Sequence, residues 1–184
     1  MRDRLLVSFL LLLLPGVLSA QLLDPTAVFK PPTDTWPTYN GDYTGQRHSI
    51  LTEINSSNVK NLALAWTQRM DFGSVSYAQQ ASEGRRIKAT PLLVNGVLYF
   101  SITDNVWAVD ARSGRPIWHY VWPNNKAIHV ANRGLGMYGN WLFFMATDNY
   151  LVSLNAKDGK ERWRMQIADY YKDFFSSIAP LRIG

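Results

Sequence analysis

The segment Ala108-Val-Asp-Ala-Arg-Ser-Gly-Arg-Pro-Ile-Trp118 has a second copy, Ser153-Leu-Asn-Ala-Lys-Asp-Gly-Lys-Glu-Arg-Trp163. The Gly114–Gly159 and Trp118–Trp163 spacings are both 45 residues. A fixed period of this size, carrying a turn and a tryptophan, marks a repeat architecture in which each unit must stack on a neighbour to bury its apolar face.

The content of one period is legible. Ala89–Val94 is expected as a strand, Asn95-Gly96 as a type I′ hairpin turn, and Val97–Ile102 as the returning strand. Thr103-Asp104-Asn105 turns, Val106–Val109 is a third strand, Ala111–Gly114 turns again, and Ile117–Val121 is a fourth. The second period repeats the order with strands at Leu135–Tyr138, Trp141–Ala146, Leu151–Leu154 and Arg162–Ile167. Ser177-Ile-Ala-Pro180 echoes Lys88-Ala-Thr-Pro91 and opens a third. Four short strands per 45 residues is the spacing of a β-propeller blade. The second strands are apolar with little alternation, as suits strands buried on both faces. The expected fold is therefore all-β: a propeller of four-stranded blades, each ending in a tryptophan that packs across to the next blade. About two blades and the start of a third are present, short of a ring, so the chain is expected to be the N-terminal part of a longer protein.

Ahead of the blades, residues 1–20 have the form of an export signal. Arg2 and Arg4 precede an apolar run, Leu5–Leu14, then Pro15-Gly16 and the small pair Ser19-Ala20. An uncleaved N-terminal anchor is the alternative, and no other stretch is long enough to span a bilayer. Export places the chain in the periplasm or outside the cell. The chain has no cysteine, which excludes disulfides, thiolate metal sites and a lipidated cysteine. Loss of the leader leaves 17 basic and 13 acidic residues, +4, scattered without a Lys/Arg run; nucleic acid is not an expected partner. Residues 21–35 are a Pro-containing approach segment, Asn55–Asn58 offers caps for a short helix at Val59–Asn61, and Leu62–Trp66 is expected as a strand. Asn55-Ser-Ser57 also fits the glycosylation sequon, with capping preferred. Residues 71–87 read as a loop.

Two patterns have plain explanations. Gly134-Leu-Gly-Met-Tyr-Gly139 matches a dinucleotide fingerprint, but a strand follows it and no helix N-terminus is available for a pyrophosphate. Asp104 and Asp148 sit in the repeated Thr-Asp-Asn turn, and a residue needed in every blade serves the turn, not catalysis. His48, His119 and His129 have no convergent ligand partners in sequence.

In this order, Trp36-Pro-Thr-Tyr-Asn-Gly-Asp42 with Arg47-His-Ser49, Asn58–Leu62 through Trp66, Ala89–Tyr99, Asn132-Arg-Gly134 and the two Gly-x-x-x-Trp ends resemble the pyrroloquinoline quinone (PQQ) dehydrogenases, the quinoprotein alcohol dehydrogenases. The likeness runs over residues 36–184. It implies an eight-bladed propeller holding PQQ, usually with Ca²⁺, that oxidises alcohols or aldose sugars in the periplasm and passes electrons to a cytochrome or ubiquinone. By resemblance, Arg133 pairs with a PQQ carboxylate, and Ser177 stands where the family has a cofactor-bonding Thr. Lys88 stands where the family has a Glu, a reversal of charge. Ala127-Ile128 replace a vicinal Cys pair found in many members. The calcium ligands, the Asp base and the Trp floor of the cofactor site are expected in later blades, so this chain would supply cofactor contacts but no catalytic or metal-binding residue. From the residues alone, Arg133 could equally pair with a blade carboxylate. A non-catalytic propeller with PQQ-like repeats, acting as a binding or assembly scaffold, is the alternative function.

Overall fold

A computed structural model describes residues 23–70, 87–123 and 132–181. The expected leader, most of the expected 71–87 loop, Ala127-Ile128 and His129 lie outside the described residues.

The two periods fold into two four-stranded antiparallel sheets. The first runs β1 (Leu92–Val94), β2 (Val97–Ile102), β3 (Asn105–Asp110) and β4 (Pro116–Val121). The second runs β5 (Gly136–Tyr138), β6 (Trp141–Met145), β7 (Tyr150–Asn155) and β8 (Glu161–Gln166), in the same meander order. The eight strands expected within the two periods are all found, with their ends moved by a few residues. The largest change is at β1, where Thr90 leaves the sheet to form a parallel bridge with Gly134 of the second unit. Asn95 and Gly96 both take positive φ, 50° and 75°, as a type I′ turn requires.

Both middle strands of the first sheet are buried on two faces, and each face packs against something different. Tyr99, Val106 and Ala108 join Leu92, Val94, Leu135, Leu142, Phe144, Val152 and Leu154 in the seam between the sheets. Phe100, Ile102, Trp107 and Val109 point the other way and pack with Leu98 and Met70. Near-continuous apolar character thus reflects strict alternation between two dry faces. Each fully buried side chain of this kind contributes about 1.5–3 kcal/mol by removal from water.

The repeated turn is a docking slot. In the second unit, Gly159 N–H bonds the Asn155 carbonyl at 2.8 Å, and a Cβ on Gly159 would stand 2.6 Å from the Trp118 ring. Trp118, on β4 of the first unit, donates its indole N–H to the Ala156 carbonyl at 2.9 Å. The expected packing of the repeat tryptophan across the blade gap is realised here. The ladder slips by one residue at matching points, Ala108/Val109 and Ser153/Leu154, just before each slot. Such bulges re-aim the strand.

Leu62–Trp66 departs from expectation. It is extended but joins no sheet among the described residues. Its alternation reads as a strand, but a strand also needs a hydrogen-bonding neighbour, and here the anchor is one side chain. Trp66 fills the Gly114 slot as Trp118 fills that of Gly159: its N–H bonds the Ala111 carbonyl at 3.2 Å. Val59–Asn61 is a 3-10 turn, yet its N-cap Asn58 makes no side-chain capping bond. The local asparagines instead fasten the preceding turn, with Asn55 N–H donating to Asn58 Oδ1 at 2.9 Å and Ser57 N–H to Asn55 Oδ1 at 3.1 Å.

Candidate functional site

Arg133 is shown outward by a buried neighbour. Asn132 is 5% exposed, so each of its polar atoms needs a partner. Its Oδ1 accepts from Ser101 Oγ of the first sheet and from Gly134 N–H at 2.8 Å, and its Nδ2 donates to the Met145 carbonyl at 2.8 Å. With residue 132 pinned to both sheets and Gly134 bridged to Thr90, the residue between them is fixed at the backbone and exposed at the side chain. The third segment closes in from the other side: a Cβ on Gly136 would lie 2.4 Å from the Pro180 carbonyl oxygen, and one on Gly134 would lie 3.5 Å from Ala179 Cβ. Thr90, Gly134 and Ala179 hold the same place in successive repeats, so these leading segments stand side by side.

The opening motif supplies the other wall. Trp36 and Leu93 exchange backbone hydrogen bonds of 2.7 and 3.0 Å, tying the motif to the free edge of β1. Thr38 and Asp42 are buried beneath the loop. Arg47 donates from Nε to Asn40 Oδ1 at 2.9 Å, and its guanidinium carbon stands 4.6 Å over the Tyr39 ring. Hydrogen bonding and positive charge from Arg47 hold the Tyr39 phenol below its usual range, with smaller contributions from Thr90 and the charge of Arg133.

Between these walls lies a cleft of about 630 Å³, lined by Thr38, Tyr39, Arg133 and the apolar stretch Ile178–Leu181, among others. That size falls within the range of small-molecule sites. Asp42 also borders it, but its carboxylate is committed to the turn, accepting from Thr44 N–H at 2.8 Å and Thr44 Oγ1 at 2.6 Å. An exposed guanidinium fork and a phenol form a donor set for a carboxylate, and the apolar wall beside them offers a surface for a planar ring.

Of the three candidates read from sequence, Arg133 alone is among the residues that line this cleft. Ser177 is half-buried, next to Ile178 of the lining, and Lys88 is exposed two residues before Thr90. Both occupy the first position of their repeat segments, and neither is among the residues that line the cleft. Tyr39, Arg47 and Asn132 carry more of the geometry than sequence reasoning assigned them. A single polar Asn beside an arginine carries no periodic signal. Among the described residues no group of three or more His, Asp or Glu could hold a metal ion, and no helix is long and apolar enough to cross a membrane.

The repeated Thr-Asp-Asn turns work between blades. Asp104 accepts from Thr147 N–H at 2.9 Å and Thr147 Oγ1 at 2.7 Å, and Asp148 accepts from the Trp122 indole at 2.9 Å. The left-handed residue is Asp104 in one turn and Asn149 in the other, so the two turns are not superimposable copies.

A family model described as the glucose/ethanol/alcohol dehydrogenase β-propeller domain matches residues 36–162. The quinohemoprotein alcohol dehydrogenase ADH IIB of Pseudomonas putida is 34% identical over 152 residues, covering 79% of this chain and 20% of its own length. The quinoprotein alcohol dehydrogenase PedH of the same species is 35% identical over 145 residues, covering 76% of this chain and 23% of its own. The solved structure of a europium-containing methanol dehydrogenase superposes with a TM-score of 0.70 at 28% identity, over 87% of this chain and 27% of that one. The chain spans about a fifth of the length of the curated relatives it matches.

Proposed function

Because the chain belongs to the glucose/ethanol/alcohol dehydrogenase β-propeller family, we propose that it is the N-terminal part of an exported, PQQ-dependent alcohol dehydrogenase and that it supplies one edge of the cofactor site. The observation that carries this is Arg133. Its backbone is locked between Asn132 and Gly134, and its side chain is free to enter a cleft whose far wall is apolar.

The residues present fit the group. Arg133 would hold a carboxylate of PQQ through its fork, and the Ile178–Leu181 stretch would lie against a ring face. Ser177 would offer a hydroxyl from the third segment. Lys88 would add positive charge near a polyanionic ligand. PQQ, when bound, supplies the quinone that takes up the two electrons released by alcohol oxidation. The chain's own part is to bind, orient and neutralise carboxylate charge. The proton-accepting carboxylate and the ligands of a calcium or similar ion would come from blades beyond these residues, so the chain alone is expected to bind without turning over. Aldose sugars are a second substrate class consistent with the family. The acceptor would be a cytochrome or ubiquinone. A haem-bearing relative supports the former, and the leader supports a periplasmic setting.

Equilibrium dialysis of PQQ against the chain, with and without Ca²⁺, tests the reading. Saturable binding that weakens roughly tenfold or more in Arg133→Gln is the expected result. Absence of binding, or binding indifferent to Arg133, would overturn it in favour of a propeller with no cofactor.

A further inference from the structure

Arg133 is one exposed cation, and a single exposed ion pair is worth little in water. A second donor aimed at the same carboxylate changes that, because hydrogen bonds to charged groups are about twice as strong as neutral ones. The opening motif places such a donor in the same cleft. Tyr39 lines it beside Arg133. Its ring is held from outside by the Arg47 guanidinium at 4.6 Å, and Arg47 is itself fastened to Asn40, the next residue. Its backbone is anchored three residues earlier by the Trp36–Leu93 pairing. The phenol is therefore pre-placed and not a mobile surface group.

We propose that Tyr39 is a direct binding residue of this cleft, donating its hydroxyl to the carboxylate that Arg133 holds, so that a planar polycarboxylate is gripped at one edge by two donors while its face lies on Ile178–Leu181. This rests on the PQQ reading above. Arg47 then has a function of its own. Through its hydrogen bond to the phenol and then its positive charge, it makes the phenol a stronger acid and hence a stronger donor. The groups that share the phenol's surroundings are Arg47 and Asn40 of its own loop, Asp42 and Tyr43 farther along it, Thr90 of the first unit and Arg133 of the second. A guanidinium does not lose its proton in the working range, so the cations remain in place while the phenol titrates.

The test compares PQQ with its trimethyl ester, by equilibrium dialysis, on the wild-type chain and Tyr39→Phe. Phenylalanine keeps the ring on which Arg47 stacks and removes only the hydroxyl. Near-UV circular dichroism checks that the variant is folded. The expected result is PQQ binding roughly tenfold or more weaker in the variant, with ester binding the same in both. PQQ binding equal in both overturns the role of Tyr39 and leaves the cofactor reading intact. No PQQ binding by wild type overturns both. If Tyr39→Phe does not fold, wild type answers alone: PQQ affinity should fall as the pH is raised toward the ordinary phenol range and the phenol ionises, while ester affinity holds, and a flat PQQ profile overturns the proposal.

Discussion

Trp118 crosses from the first sheet to the second and seats its indole on the peptide turn that ends at Gly159, donating to the Ala156 carbonyl at 2.9 Å. No side chain can stand at position 159 without displacing that ring, since a Cβ would lie 2.6 Å from it. The backbone there is also left-handed, φ 70°.

Gly159→Ala is accordingly expected to cost about 2–4 kcal/mol, from overpacking and left-handed strain together. Gly96→Ala is the control. It has a similar φ, 75°, but open space around it, and should cost only about 1 kcal/mol. Thermal melts of the two variants check the difference, and equal losses would show that the docked ring yields easily.

Asp104→Asn tests the clamp between blades. Asp104 takes two bonds from Thr147 across the seam, both buried. The amide keeps one acceptor and turns an N–H₂ toward a donor, at an expected loss of about 1–3 kcal/mol. Asp110→Asn, whose bonds to Ser113 stay within one exposed turn, should change little. Urea denaturation of the pair gives the comparison.

The fold was legible because the signals that define it are local. A turn glycine, a tryptophan four residues on and an Asn-Gly hairpin each act within a few residues, and they located β2, β4 and β8 closely. What escaped notice depends on partners distant in sequence. Leu62–Trp66 alternates like a strand but found no ladder. Asn132 gains its role only when Ser101 and Met145 arrive from two different strands. The candidate cleft was half legible: of the residues that line it, Arg133 is singled out by resemblance, whereas Tyr39 is brought to it by a loop that the Trp36–Leu93 pairing anchors. The spacing of Trp66 from Ala111 and of Trp118 from Ala156, 45 and 38 residues, differs because the first connection is longer, which hid the first docking tryptophan.

Asn132→Asp should separate the display of Arg133 from its charge. The substitution sets a carboxylate oxygen against the Met145 carbonyl that Nδ2 now serves, in a buried place, and about 3 kcal/mol of stability is expected to go with it. PQQ binding should fall as well, although Arg133 itself is untouched. A variant that melts lower yet binds PQQ as wild type would show that the hub does not orient Arg133.

Alkali should loosen the seam through Tyr99. Burial pushes this phenol up to about 12 from its ordinary value of 10.0. With the folded-state value above the unfolded one, its contribution is full below pH 10 and is lost as pH rises toward 12. Burial, then its bond to Glu161, also raises Tyr120. Melting temperature measured from pH 9 upward should drop less steeply in Tyr99→Phe than in wild type, and parallel curves would refute the assignment.

The direction of docking has a consequence for synthesis. Trp66 precedes the slot at Ala111–Gly114, and Trp118 precedes the slot at Ala156–Gly159. On the ribosome, each blade's turn therefore emerges after the ring that will fill it. Every new sheet meets a finished plug from the chain already made, so the blades can close one upon the next from the N-terminus without waiting for residues still to be translated.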